Sequence, residues 1–259
     1  MEWYLYAAVV VAGFISGFIN TVAGSGSLVS LPMLMYLGLP AGMANGTNRI
    51  AIFLQSLVGV AGFKQQKVFN VREGLLIAIP TTVGSLIGAF LAVDLDEKIL
   101  KQAIGALLII MFFVILLKPE AWIKGQAGKI SAKPSFLQVV IFFAIGVYGG
   151  FIQAGVGFFL LAGLVLSSGY DLVKANAIKV LIVLLYTPFA LAVFMYNQQV
   201  NYVLGLVLAA GSMAGAYMAT RFAANVGPKV IRYILLVILL IAALDLVGFF
   251  GSIMNIMGK

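Results

Sequence analysis

The sequence contains neither cysteine nor histidine. Disulfide frameworks, Cys/His zinc or haem sites, cysteine nucleophiles and histidine-dependent triads are therefore excluded. Charge is scarce as well: 9% of the 259 residues are Asp, Glu, Lys or Arg, while 63% are hydrophobic and the mean hydropathy is +1.13. Soluble domains are usually about 45–50% apolar, so this chain must be solvated largely by lipid. A net charge of +8 would point to nucleic acid in a soluble protein. Here the basic residues sit in short connections between apolar runs, where they set membrane orientation, and no nucleic-acid partner is expected. The opening run, MEWYLYAAVVVAGF, is preceded by an acid and no base, so it reads as a retained span and not as a cleaved signal.

What the chain does have is long apolar stretches, at 3–22, 27–38, 41–62, 73–92, 98–117, 135–154, 158–169, 172–195, 202–221 and 230–250. Most reach the roughly 20 residues needed to cross about 30 Å of hydrocarbon, but 27–38 and 158–169 are half-length. Small-xxx-small spacings, Gly84 with Gly88 and Gly211 with Gly215 and Ala219, suit close helix packing.

The halves overlay as an internal repeat. Gly17-Phe18-Ile19-Asn20 matches Gly150-Phe151-Ile152-Gln153 and Gly24 matches Gly157; after a two-residue shift, Asn45 matches Asn176, Asn70 matches Asn201, Gly74 matches Gly205, Gly84 matches Gly215 and Lys98 matches Lys229. The expected domains are a first transmembrane repeat over 1–117, a cytoplasmic linker over 118–134 and a second repeat over 135–259. An odd number of crossings per half, and basic clusters at Lys64/Lys67/Arg72, Lys118/Lys124/Lys129/Lys133 and Arg221/Lys229/Arg232, fit halves of opposite orientation. The expected fold class is thus an all-α polytopic membrane protein of two inverted repeats, each with about four long transmembrane helices plus one short broken or re-entrant helix.

Interrupted helices in inverted repeats place free N–H groups and positive dipole ends near the bilayer midplane, which favours an anion. The first break runs from Asn20 to Ser27, where Gly24, Ser25, Gly26 and Ser27 offer a cradle of backbone N–H and hydroxyl donors; its partner carries Gln153, Gly155 and Gly157. A second pair of motifs, Asn45-Gly46-Thr47-Asn48-Arg49 and Asn176-Ala177-Ile178-Lys179, puts a cation into each half. An ionisable side chain at membrane depth costs at least about 2.5–3.5 kcal/mol, which a bound anion would offset. The competing readings are plain turns for the breaks and snorkelling to the interface for the cations. On the anion reading, Ser25, Ser27, Asn48, Arg49 and Lys179 hold one anion between the breaks. Asp171 is expected to cap the helix it precedes, Glu73 to be interfacial, and Asp245 to lie near the outer interface or carry a proton. Paired acids in the spans and an activated serine are missing, so no enzyme, no metal and no cofactor is expected.

The stretch GFINTVAGSGSLVSLPMLMYLGLPAGMANGTNR, with NAIKVL in the second half, resembles the TauE/SafE family of sulfite and organosulfur-anion transporters across essentially the whole chain. The first break reads Gly-Ser-Gly-Ser where the family has a glycine run, and Arg49 stands where a Lys is usual. The resemblance implies transport of a small sulfur-containing anion such as sulfite, sulfoacetate or thiosulfate, in a bacterial or archaeal plasma membrane. An inside-negative potential gives about 2.3 kcal/mol per charge per 100 mV toward expelling an anion, which favours export. A passive anion channel and a proton-coupled importer of an organic anion stay open, as does a homo-oligomer; membrane lipid is the remaining expected partner.

Overall fold

The computed structural model describes residues 2–68, 71–93 and 134–225. The apolar segments 98–117 and 230–250, the linker 118–134 and Asp245 lie outside the described residues. The elements are helices α1 (Trp3–Ala23), α2 (Ser27–Tyr36), α3 (Ala41–Gln65), α4 (Val71–Val93), α5 (Phe136–Phe151), α6 (Val156–Ala162, continued by a π-helical turn Gly163–Ser167), α7 (Leu172–Tyr196) and α8 (Tyr202–Asn225). No strand occurs among the described residues.

Local sequence explains the boundaries. Gly24 ends α1 in the left-handed conformation at φ 83°, its N–H returning to the carbonyls of Ile19 and Asn20, a conformation that costs a residue with a Cβ about 1–2 kcal/mol. Ser135 and Gln138 form a reciprocal capping box at the start of α5. Asp171 accepts from the Val173 and Lys174 N–H groups at 2.9 and 3.0 Å, the cap expected for α7. One boundary departs from expectation. The span expected over 135–154 ends at Phe151, because Ile152 turns extended and Gly155 takes φ 74°, so α5 has 16 residues and falls short of a full crossing.

Among the described residues, four helices are long and apolar enough to cross a membrane: Trp3–Ala23, Gly74–Val93, Leu172–Tyr196 and Tyr202–Phe222. Helix α3 is as long but carries Asn45, Asn48, Arg49, Gln55 and Lys64. The outer surface is lipid-like, with Val11, Ile79, Phe90, Leu206 and Met218 exposed.

The helices interlock across the halves: α1 packs on α8 and α5 on α4, while α8 lies on α3 and α4 on α7. Small residues let these backbones touch. Gly211 and Gly215 rest on the backbone of α1 at Val10 and Phe14, and Gly84 and Gly88 on that of α5 at Phe143 and Val147. The α8/α3 and α4/α7 contacts keep the repeat's register, since Gly205 faces Thr47 and Ile50 whereas Gly74 faces their equivalents, Ile178 and Leu181. The other two do not. Gly17 sits on Ser212, but its equivalent Gly150 sits on Ser85, whose counterpart is Ala216; the α1/α8 and α5/α4 seats thus differ by four residues, about one helical turn.

Candidate functional site

The two breaks meet. The Gly157 N–H donates to the Gly24 carbonyl at 3.1 Å, and a Cβ on either glycine would run into the backbone of the other. Gly26, at the N-terminal end of α2, is pressed against the Ser16 carbonyl in the same way. Neither break is a simple turn between packed helices, because each is closed by the other half of the chain.

Around this junction lies a polar network. The Ser16 hydroxyl donates to the Gly26 carbonyl at 2.8 Å, Ser30 donates to Asn48 Oδ1 at 2.7 Å, and Asn48 Nδ2 donates to Ser27 Oγ at 3.0 Å. Asn48 therefore ties α3 to α2. Ser25 Oγ is fully buried and has no hydrogen-bond partner. A buried hydroxyl without a partner is costly, and this one lies beside the N-terminal end of α2, where helix N–H groups lack carbonyl partners as well.

Arg49 and Lys179 are 0% and 1% exposed, well inside α3 and α7. Snorkelling is therefore ruled out for both. Arg49 Nη1 donates to the Gly149 carbonyl and to Gln153 Oε1, each at 3.2 Å; Nη2 donates to the Gly150 carbonyl and to Asn45 Oδ1; the guanidinium lies 4.5 Å from the Phe194 ring centroid. Asn45 Nδ2 adds a bond to the Phe151 carbonyl at 2.9 Å. Lys179 Nζ donates to the carbonyls of Asn20 and Thr21, at 2.8 and 3.2 Å, and to Asn176 Oδ1. Each cation thus sits at the C-terminal end of the broken helix of the opposite half, where the helix dipole is negative and the last carbonyls need donors. Arg49 Nε and Asn176 Nδ2 remain without partners.

Of the residues expected at the site, Asn20, Gly24, Ser25, Gly26, Ser27, Asn48, Gly155, Gly157, Gln153, Asn45, Asn176, Arg49 and Lys179 all belong to the two breaks or to the groups that clamp them. Thr47 does not: its hydroxyl accepts the Asn201 N–H at 2.8 Å, at the turn into α8. The two cations do not share acceptors. Three residues escaped the sequence reading. Gln55 and Ser56, both buried, line a small cavity with Asn20, Thr21, Gly157, Lys179, Val180 and Val183, and Tyr186 is buried against Gln153. The signal for Gln55 and Ser56 was present, since they continue the Asn45, Asn48 and Arg49 face of α3 at helical spacing.

A helical assembly with lipid-facing apolar surfaces, broken helices and buried cations at their junction defines an integral membrane transporter. Residues 9–246 match the family described as sulfite exporter TauE/SafE, and the chain belongs to that family. It is 28% identical to the "Probable membrane transporter protein ORF9" of Sinorhizobium sp., over 96% of this chain and 94% of the relative. A probable membrane transporter protein of Haemophilus influenzae is also 28% identical, with 88% and 89% covered, and the Bacillus subtilis protein YunE is 22% identical, with 93% and 97% covered. No solved structure matches the chain. The family is one of transporters, and the chain is not an enzyme.

Proposed function

We propose that the protein carries a small sulfur-containing anion, sulfite or a related sulfonate or thiosulfate, across the plasma membrane of a bacterium or archaeon, and that export is its working direction. One observation carries this reading: two fully buried cations face each other's half with no carboxylate bonded to either among the described residues. Helix-end carbonyls supply only partial negative charge, so the junction retains a net positive field in a low-dielectric setting, which an anion completes. Ser25 Oγ and Asn176 Nδ2, buried and unpartnered, are donors of the kind an oxyanion takes.

The division into repeats over 1–117 and 135–259, opposite in orientation and joined by a cytoplasmic linker, belongs to the same proposal. The reciprocal α1/α8 and α5/α4 packing supports it. The family description and the bacterial relatives support the substrate class and the location. The test is transport of labelled sulfite by reconstituted protein in liposomes under an imposed potential. Efflux that rises with an inside-negative potential is expected. Flux indifferent to both sulfite and potential overturns the proposal, and conductances far above carrier turnover would make the protein a channel.

A further inference from the structure

The repeat pairs Asn20 with Gln153 and, with the shift that pairs Asn45 with Asn176, Gln55 with Tyr186 and Ser56 with Thr187. These equivalent positions are used differently in the two halves. In the second, Gln153 is held at both ends: its Oε1 accepts from Arg49 Nη1, and its Nε2 donates to the Tyr186 hydroxyl at 2.9 Å. Tyr186 is fully buried, its hydroxyl packed near Gly149, and the Thr187 hydroxyl is turned onto the Val183 carbonyl at 2.6 Å. The space beside the Arg49 guanidinium is therefore filled by side chain.

In the first half the shorter Asn20 and the slimmer Gln55 leave the corresponding space unfilled. A small cavity opens there beside the Lys179 ammonium, walled by Asn20, Thr21, Gln55 and Ser56 and touching Gly157 of the other break. It has room for about one water. Its wall sets the polar side chains of Gln55, Ser56 and Lys179 among the apolar Val180 and Val183, and it holds a cation with no acid among the described residues that line it.

We propose that the anion is held on this side of the repeat alone, in the cavity next to Lys179, with Gln55 and Ser56 as its recognition groups, while Gln153 and Tyr186 plug the equivalent place beside Arg49. The inference rests on the anion-carrier reading above and specifies its site. Gln55 and Ser56 offer an amide N–H and a hydroxyl, neutral donors that discriminate an oxyanion from halide by number and direction of hydrogen bonds. A sulfur oxyanion is larger than the cavity as it stands, so the wall has to yield on loading, and Gln55, a flexible side chain, is the part able to do so. Arg49 then acts as a positioning residue that holds α5 and the plug.

The test uses the full chain purified in detergent, with sulfite, thiosulfate and sulfoacetate as probes, followed by calorimetry and by thermal shift. Gln55→Glu, nearly isosteric, places a like charge against the anion and should weaken binding at least about ten-fold; Gln55→Leu removes the donor and should weaken it by about ten-fold. Tyr186→Phe, which removes only the plug's hydroxyl, should leave affinity within about two-fold. If Gln55→Glu yields no folded protein, Gln55→Leu carries the comparison. A parent protein that binds one of the probes while both Gln55 variants bind as well as it does, or while Tyr186→Phe loses binding, overturns the one-sided site and leaves the carrier reading standing. A parent protein that binds none of the three overturns the carrier reading and this inference together.

Discussion

Gly24 and Gly157, 133 positions apart in the sequence, are joined backbone to backbone, the N–H of one on the carbonyl of the other at 3.1 Å. Equivalent residues of the two halves thereby form a single contact. Gly157→Ala adds a methyl group that must displace the Gly24 backbone, and Gly24→Ala adds the strain of its left-handed conformation. Overpacking of this kind costs about 1–3 kcal/mol. Both variants are expected to lower Tm by several degrees in detergent and to lose anion binding in step. Gly38, also left-handed but with open space around it, is the control: Gly38→Ala should show strain alone. Equal Tm for the Gly157 variant and the parent protein would show that the junction is not closely packed.

Arg49 and Lys179 serve separate helix ends, so their contributions to stability should add. Removing Arg49 takes the side-chain donor from the Gly149 and Gly150 carbonyls, and removing Lys179 takes it from that of Thr21, while Asn20 keeps the Gly24 N–H; each buried carbonyl left without a donor costs about 1–3 kcal/mol. Arg49→Gln and Lys179→Gln are each expected to destabilise the protein, and the double variant by the sum to within about 0.5 kcal/mol. Affinity should divide differently. Lys179→Gln is expected to weaken sulfite binding by roughly ten-fold to a hundred-fold, and Arg49→Gln to act chiefly through stability. Arg49→Lys tests the fork: a lysine cannot span Gly149, Gly150, Gln153 and Asn45 at once, so it should rescue charge without rescuing Tm. Denaturation in detergent and calorimetry on the same preparations separate the two effects.

The orientation of the halves has a direct readout because the chain has no native cysteine. Gln66 and Asn197 occupy the same repeat position, each as the residue that ends a long helix, and each is followed by a residue at positive φ, Lys67 at 56° and Gln198 at 57°. Single cysteines at Gln66 and Asn197 should react with an impermeant maleimide from opposite faces of the membrane, Gln66 from the cytoplasmic side. Labelling of both from one face would make the repeats parallel.

The two breaks and the Asp171 cap are legible in the sequence because each is written locally: glycines at positions that need them, and an acid before an apolar helix. The small-xxx-small stripes likewise announced the Gly84 and Gly211 seats. What stayed hidden was long-range. Nothing near Arg49 says that its acceptors are Gly149 and Gly150, 100 and 101 positions away, or that Lys179 reaches back to Asn20 and Thr21. The early end of α5 at Phe151 was illegible for a related reason, since Ile152 is apolar and is pulled out of the helix by tertiary packing that outweighs its propensity. Thr47 looked like part of a polar motif, and the structure spends it on a turn instead.

The one-turn offset between the α1/α8 and α5/α4 seats makes two halves that match in sequence unequal in packing. Chemically matched halves are parked at different stops along the same rail, and the stops are spaced by the small residues themselves: Gly13 and Gly17, Gly146 and Gly150, Gly84 and Gly88, Gly211 and Gly215. Exchanging the two registers by a one-turn slide would put Pro80 where Gly211 now sits and Ala219 where Gly88 now sits, seats in which an added Cβ runs into the backbone of the facing helix, so these positions fix the offset. Phe14, now against Gly215, would then meet Ala219. A Phe14→Cys, Ala219→Cys pair is therefore expected not to cross-link in membranes, and a cross-link formed under turnover would show that the register slides. Which member of each sequence pair is glycine, Gly211 and not Pro80, Gly88 and not Ala219, thus decides where each helix stops along its neighbour.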